Sequence, residues 1–383
     1  MADLSCSRLS CFRLVAIAII TAAVSVSPVK AETQIRFSAG VAPKHVINAN
    51  GIEPWIKAVE TASNGQIKVR NFTGGQLLSV QGALAGVKSG LADGSVYPFP
   101  FYPAEYPIEK LISDIILGYS DTVVLASAMT EFALLGCPDC QKAFADQNMV
   151  LLSRYATTPY VLITRAPIRT VEDIRSKKIR TAGASLNKVF GAMGAQGVSV
   201  DGGDMYQALS SGVLDGVMQA VGAFRSYSLW DTAKHYTDMP VGPAHASPAA
   251  FNSTFWKELS PAHRKIIVET ISITGLGGTL GYIQGDREVE AEAKSKGVTV
   301  HKPSPDLQRR VGELITAEVD AAIQQAAGAG VRDAAGKAKT LQALVDKWGK
   351  LVAGRHDIND LDELVAIWNR EIMSKLPLNS YGL

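Results

Sequence analysis

Residues 89–96 read SGLADGSV and residues 211–218 read SGVLDGVM. Both copies place Ser-Gly before two apolar residues and Asp-Gly after them. An amphipathic run precedes each one, SVQGALAGVK in the first case and DMYQALS in the second. Gly90 and Gly212 suit the left-handed residue that closes a helix. The apolar pair then enters a short buried strand. Short strands fed by helices build open α/β sheets, whose ligands lie just beyond the carboxyl ends of the strands. On this order each Asp-Gly falls at such an end, with Gly94 and Gly216 leaving room for a ligand or a backbone. One phrase used twice predicts two α/β units with their strand ends facing across one cleft.

The surrounding pattern supports this duplication. QIRFSAG (34–40), GIEPWIKAVETAS (51–63) and QIKVRNF (66–72) read strand, helix, strand, and SVQGALAGVKSG then LADGSVY add a second helix and a third strand. The rhythm returns in KKIRTAG, SLNKVFGAMGAQ, DMYQALSSG and VLDGVMQAV. Between the two units VLLSRYATTPYVLITR (150–165) has the length of a crossing strand, with Pro159 interrupting it or placing it at an edge. Residues 251–297 predict two helices, the second long and loosened near Gly275 to Gly281, and VTVHKP predicts a strand. The rest, to about Leu376, has helical amphipathicity.

The amino-terminal segment reads as an export leader. Arg8 and Arg13 precede the apolar run LVAIAIITAAVSV, and Val29 and Ala31 supply small residues for cleavage near Ala31. Residues 1–31 contain three basic side chains and Asp3, so without them the 38 basic and 36 acidic residues become equal in number. A neutral chain without a basic block has no electrostatic footprint for nucleic acid or an anionic membrane. No later stretch reads as a membrane span. Cys6 and Cys11 precede the apolar run, which argues against a lipid anchor. Cys137 and Cys140, in GCPDC, predict a small structural disulfide in an oxidising compartment. The alternative is a periplasmic thiol oxidoreductase, which needs its C-x-x-C at a helix start after a buried strand. Here the motif follows a helical run that stops at Gly136. GAMGAQG (191–197) sits at a helix end, where carbonyls face outward, so it makes no phosphate cradle. No P-loop, G-x-S-x-G or H-E-x-x-H occurs, and the six His are scattered. Neither a cofactor, a metal site nor a catalytic residue is expected.

Taken together, FTGGQLLSVQGALAGVKSGLADGS, PIRTVEDIRSKKIRTAG, MYQALSSGVLDGVMQAV and FNSTFWKELSPAHRKII resemble one family in order and spacing. This family comprises the solute-binding subunits of tripartite ATP-independent periplasmic (TRAP) transporters, of the C4-dicarboxylate-binding DctP type. The resemblance covers nearly all of the chain after the leader. It implies a periplasmic binding protein fold, in which two α/β domains with mixed sheets enclose a ligand cleft and are joined by hinge strands and a long helix. The corresponding boundaries are 32–157 plus 245–285, 158–244 plus 286–330, and a carboxy-terminal helical extension, 331–383. It further implies a periplasmic receptor that binds a small organic acid by domain closure and passes it to small and large membrane permease subunits. A receptor for an ATP-driven (ABC) importer is the alternative within this fold. The terminal helices pack on the body or pair two copies as a homodimer.

The resemblance makes Arg180 the carboxylate anchor, since a guanidinium gives a carboxylate two parallel bonds. The alternative for Arg180 is a surface pair with Glu172 or Asp173. Tyr160 stands where the family's acid-binding members often carry a second Arg, and Arg154, six residues upstream, is the candidate to replace it. Gln219 takes the place of a polar residue after the second Asp-Gly, with an amide that both donates and accepts. In VYPFPFYPAEYP, Tyr97, Phe99, Phe101 and Tyr102 either wall the cleft with rings or stiffen a covering loop together with their prolines. If they wall the cleft, the ligand has a ring or a longer apolar part, and a small C4 dicarboxylate fits poorly.

Overall fold

The computed structural model describes residues 32–181 and 183–383. The leader, its cleavage near Ala31, Cys6 and Cys11 lie outside the described residues. From Thr33 the chain lays down β1 (Thr33–Ser38), β2 (Ile67–Phe72), β3 (Gly94–Tyr97), β4 (Met149–Leu151) and β5 (Tyr155–Ala156) in one sheet. It crosses to a second sheet for β6 (Val161–Thr164), β7 (Lys178–Arg180), β8 (Gln196–Val198), β9 (Gly216–Gln219) and β10 (His235–Thr237). It then returns to the first sheet with β11 (His245–Asn252) and to the second with β12 (Thr299–His301). The first sheet runs β2-β1-β3-β11-β4, with β5 on β11, and the second runs β12-β10-β6-β9-β7-β8. In each, a central strand (β3 or β9) has a parallel neighbour on one side and an antiparallel one on the other.

The doubled phrase occupies equivalent joints, but at the opposite end of the strand from the one expected. Gly94 and Gly216 begin β3 and β9. The residues before them form the turn out of the helix: Leu91 and Val213 are half exposed, whereas Ala92 and Leu214 are buried. Asp93 exchanges two bonds with Arg36, its N–H donating to the Arg36 carbonyl (2.9 Å) and its carboxylate accepting the Arg36 N–H (2.7 Å). Asp215 repeats this with Lys178, at 2.9 and 2.9 Å. Each Asp therefore latches the entry of the central strand to its parallel neighbour. The glycines admit neighbouring strands, not a ligand. A Cβ on Gly216 would lie 2.7 Å from Thr164 Cγ2, and one on Gly94 would lie 3.0 Å from the Phe251 ring.

The expected crossing strand is divided into β4, β5 and β6. Its Thr157–Tyr160 stretch runs beside Val241–Ala244, with Thr157 N donating to Ala244 O and Tyr160 N to Gly242 O, both at 2.9 Å. These two segments carry the chain between the sheets. Ser272–Ala293 is an unbroken helix, so the expected loosening at its glycines is absent. The glycines provide close approach instead. A Cβ on Gly277 would sit 2.1 Å from Asn50 O, and one on Gly275 would sit 2.4 Å from Arg154 O. Contrary to the sequence expectation, the helical run Pro261–Ala293 is long and apolar enough to cross a membrane; 67% of its apolar window is buried inside the fold.

The carboxy-terminal helices Ala334–Leu351 and Leu361–Glu371 turn their apolar faces into the core of the first sheet. Trp348 Nε1 donates to Glu131 Oε2, and Trp368 Nε1 donates to Ser127 Oγ, each at 2.7 Å. That face is used within the chain, and the expected pairing of two copies through it is not supported. The second sheet is covered by separate apolar clusters, one centred on Leu162, Ile179 and Met218 and the other on Ile163, Leu209 and Val217.

Candidate functional site

Strand register brings three sequence-predicted residues to one edge. Gln219 ends β9 and pairs with Val161, which begins the antiparallel β6, so Tyr160 lies beside Gln219. Arg180 ends the parallel β7 and pairs with Val217 of β9. All three line a cavity of about 860 Å³ between the sheets. The first sheet contributes Gly40 to Ala42 after β1, Val96, Pro98, Pro100 and Phe101 around the end of β3, and His245 at the start of β11.

Arg180 is buried, at 8% exposure. Its Nε donates to Val200 O at 3.2 Å and its Nη1 approaches Met218 O at 3.5 Å, and no carboxylate pairs with it among the described residues. The alternative surface pair does not form. Glu172 pairs with Arg175, and Asp173 caps its own helix by accepting the Arg169 and Thr170 N–H groups. A buried guanidinium held only by carbonyls retains donors for an anion.

The amides nearby are polarised in the same sense. Gln219 Oε1 accepts from Ala220 N at 3.0 Å, and Asn187 Oδ1 accepts from Thr181 Oγ1 at 2.5 Å. With those oxygens engaged, both residues present NH₂ groups to the cavity. The Gln219 amide thus acts as a donor, where the sequence reading allowed it either role. Burial raises the pKa of the Tyr160 hydroxyl, with Arg180 partly offsetting it, and pushes Tyr227 up to about 12. Burial lowers His45 to about 4; burial, then the Arg154 charge, lowers His245 to about 3. These rings are neutral at pH 7.

Arg154 does not reach the cleft. It is fully buried in a two-point ion pair with Glu109, and its guanidinium lies 4.9 Å from the Phe99 ring centre. Tyr97 and Phe99 also face the core rather than the cavity. Tyr97 stacks on Tyr102 at 4.8 Å, and Phe99 packs against Phe144 and His245. Alternation along β3 turns Val96 to one face and Tyr97 to the other, and the 3-10 turn Phe99–Phe101 that follows sends Phe99 into the core. Val96, Pro98 and Pro100 face the cavity, joined by Phe101, while Tyr97 and Phe99 point away. The loop therefore both walls the cleft, with Val96, Pro98, Pro100 and Phe101, and covers the core, with Tyr97 and Phe99.

Of the loop's rings, Phe101 lines the cavity. Sequence reasoning missed His45, Tyr155, Tyr227, Tyr282 and Asn187, which also line it and come from separate segments with no shared local signal. Cys137 and Cys140 form a disulfide, and both are buried. Contrary to expectation the motif does open a helix, Pro138–Asp146, with Cys137 as its cap. A helical turn, Phe132–Gly136, precedes it in place of a buried strand.

Two lobes, two crossing segments and a cavity between opposed strand ends define a ligand-binding receptor fold. The chain belongs to the bacterial extracellular solute-binding protein family 7 (DctP), whose model matches residues 37–325. This is a family of receptors, not of enzymes. A solute-binding protein of Albidiferax ferrireducens is 22% identical over 48% of this chain and 53% of its own length. The ectoine-binding periplasmic protein TeaA of Halomonas elongata is 27% identical over 42% of this chain and 47% of its own. The chain thus matches about half the length of these curated relatives. Two solved structures share the fold. One is a TRAP solute-binding protein from a marine metagenome, specific for aromatic acids and bound to 3-hydroxybenzoate (TM-score 0.74, 20% identity, 83% of this chain and 99% of that one). The other, from Rhodoferax ferrireducens, contains copurified benzoate (TM-score 0.75, 20% identity, 84% and 100%).

Proposed function

We propose that this chain is the periplasmic solute receptor of a TRAP-type transporter. It closes its lobes over a small organic acid and delivers that acid to the membrane permease subunits. One observation carries this reading: a buried guanidinium, Arg180, without a carboxylate partner among the described residues, beside amides that present donors. A carboxylate supplies the acceptors that these groups lack. A charged hydrogen bond contributes about 1.5–3 kcal/mol net, and micromolar affinity requires about 8 kcal/mol. Arg180 thus supplies a substantial share, and burial of the ligand between the lobes supplies the remainder. Tyr160 adds a hydroxyl where a second Arg would stand.

Family membership favours the ion-driven transporter over an ATP-driven importer. The buried disulfide leaves no accessible thiolate for an oxidoreductase. The two solved neighbours hold 3-hydroxybenzoate and benzoate, and the Halomonas relative is named for ectoine. None of these is a C4 dicarboxylate, so the family's usual substrate is not carried over.

The test is a thermal-shift screen of organic acids, because a ligand selective for the folded state raises Tm. An acid that stabilises the wild type should leave Arg180→Ala unshifted at the same concentration. Equal shifts in both proteins would remove Arg180 as the anchor.

A further inference from the structure

Charge is distributed unevenly in the cavity. Arg180 is the sole Lys or Arg among the described residues that line it, and the acids Asp201 and Asp204 stand on a loop of the same lining. Asp201 also accepts from Gln81 of the opposite lobe. A second carboxylate on the ligand would find no cation and would face these acids. Burying an unpaired charge is strongly unfavourable. His45 and His245 supply no positive charge near pH 7, because burial keeps both neutral.

Away from Arg180 the wall is a continuous chain of rings drawn from several segments. Tyr155 and Tyr282 stack with centroids 6.1 Å apart and planes 11° apart. His45 meets Tyr282 edge-on at 6.0 Å and Tyr227 at 5.8 Å. Tyr227 and Arg180 line the same cavity, where the Arg180 charge acts on the Tyr227 hydroxyl. The rings thus lead up to the anchor. Aromatic rings favour offset and edge contacts with one another beyond simple area burial.

From this geometry we infer that the ligand is a monocarboxylate bearing a planar ring. Its carboxylate meets Arg180 and the Gln219 amide, and its ring lies against the Tyr155–Tyr282–His45–Tyr227 wall. The inference rests on the organic-acid reading above and narrows it to a class.

Calorimetric titration of the purified full chain with benzoate, phenylacetate, succinate and benzamide tests it. At least one ring acid should bind about tenfold or more tighter than succinate, and benzamide should bind weaker than benzoate. Succinate binding as tightly as both ring acids would overturn the ring-monocarboxylate class while leaving an organic-acid receptor intact. Binding of benzamide as tight as benzoate, or no binding of any acid, would overturn both readings. Tyr227→Leu should lower the ratio of ring-acid to succinate affinity severalfold, while Tyr282→Phe, which keeps the ring, should preserve it. An unchanged ratio in Tyr227→Leu would count against the wall; if that variant does not fold, the wild-type ratios decide.

Discussion

Arg154 and Glu109 face each other inside the first lobe, both Nη groups donating to the two carboxylate oxygens, with the side chains 0% and 2% exposed. The pair lies beneath the cleft. Phe99 covers the guanidinium, and His245, whose Nε2 lies 2.8 Å from Ser113 Oγ, reaches from this layer to the cavity. Removing one partner of a buried pair strands a charge and typically costs about 3–5 kcal/mol. Glu109→Ala should therefore lower unfolding free energy by that amount in urea titrations. The double variant Glu109→Leu/Arg154→Met should recover most of it, since both charges are gone. A single-variant loss under about 1 kcal/mol would show that the pair does not hold this layer together.

Local pattern made the architecture legible. The repeated helix-Gly-turn-Asp-Gly-strand unit pointed to two α/β halves, whereas Arg180, Gln219 and Tyr160 were singled out only through the family resemblance, and it is strand register that brings them to one edge. Errors arose where tertiary contact decides direction. The side of the strand occupied by each Asp-Gly depends on its latch to Arg36 or Lys178, far away in sequence. The glycine-rich helix runs unbroken with the turn Ile47–Ile52 packed into its glycine face, and no local signal reveals that partner. Arg154 was drawn toward the cleft by proximity in sequence, although its carboxylate partner lies 45 positions away.

Those glycines allow a paired test. Gly→Ala inside a helix ordinarily stabilises by about 0.5–1 kcal/mol. A Cβ added at Gly349 would meet nothing within 4 Å, so Gly349→Ala should gain that amount. Gly277→Ala would drive its methyl to 2.1 Å from Asn50 O and should instead lose about 1–3 kcal/mol or more through overpacking. Denaturant titration of both variants reads the difference. Two changes of the same sign would refute the close-packed helix face.

Gln219 offers a charge test of the donor site. Its Oε1 is held by Ala220 N, and Gln219→Glu can keep that bond while replacing the NH₂ with a second oxygen. Facing a bound carboxylate, that oxygen repels where the amide donated. Acid binding should fall about 100-fold or more, by the loss of a charged hydrogen bond together with like-charge repulsion. Far-UV circular dichroism should remain unchanged. Retained affinity at neutral pH would place the ligand elsewhere.

Stability should also depend on pH through buried groups of opposite sign. His45 and His245 have folded pKa values depressed to about 4 and about 3 by burial, Arg154 adding to the effect at His245. The unfolded chain therefore takes up protons first, near the ordinary His value of about 6.5. Stability is full above that pH and is lost progressively as pH falls toward 4. Asp286 acts in the reverse direction. Burial raises its pKa to about 6, partly offset by hydrogen bonds such as that from Gly222 N at 2.6 Å. Between about 6 and the ordinary Asp value near 3.9 the folded state takes up this proton first, which offsets part of the histidine loss. Asp286→Asn keeps an acceptor for Gly222 but removes the titration. It should be more stable than the wild type at pH 7 and should lose stability more steeply below pH 6. Tm measured from pH 7.5 to 4.5 reads both slopes. Parallel curves for the two proteins would mean that Asp286 titrates as an ordinary exposed carboxylate.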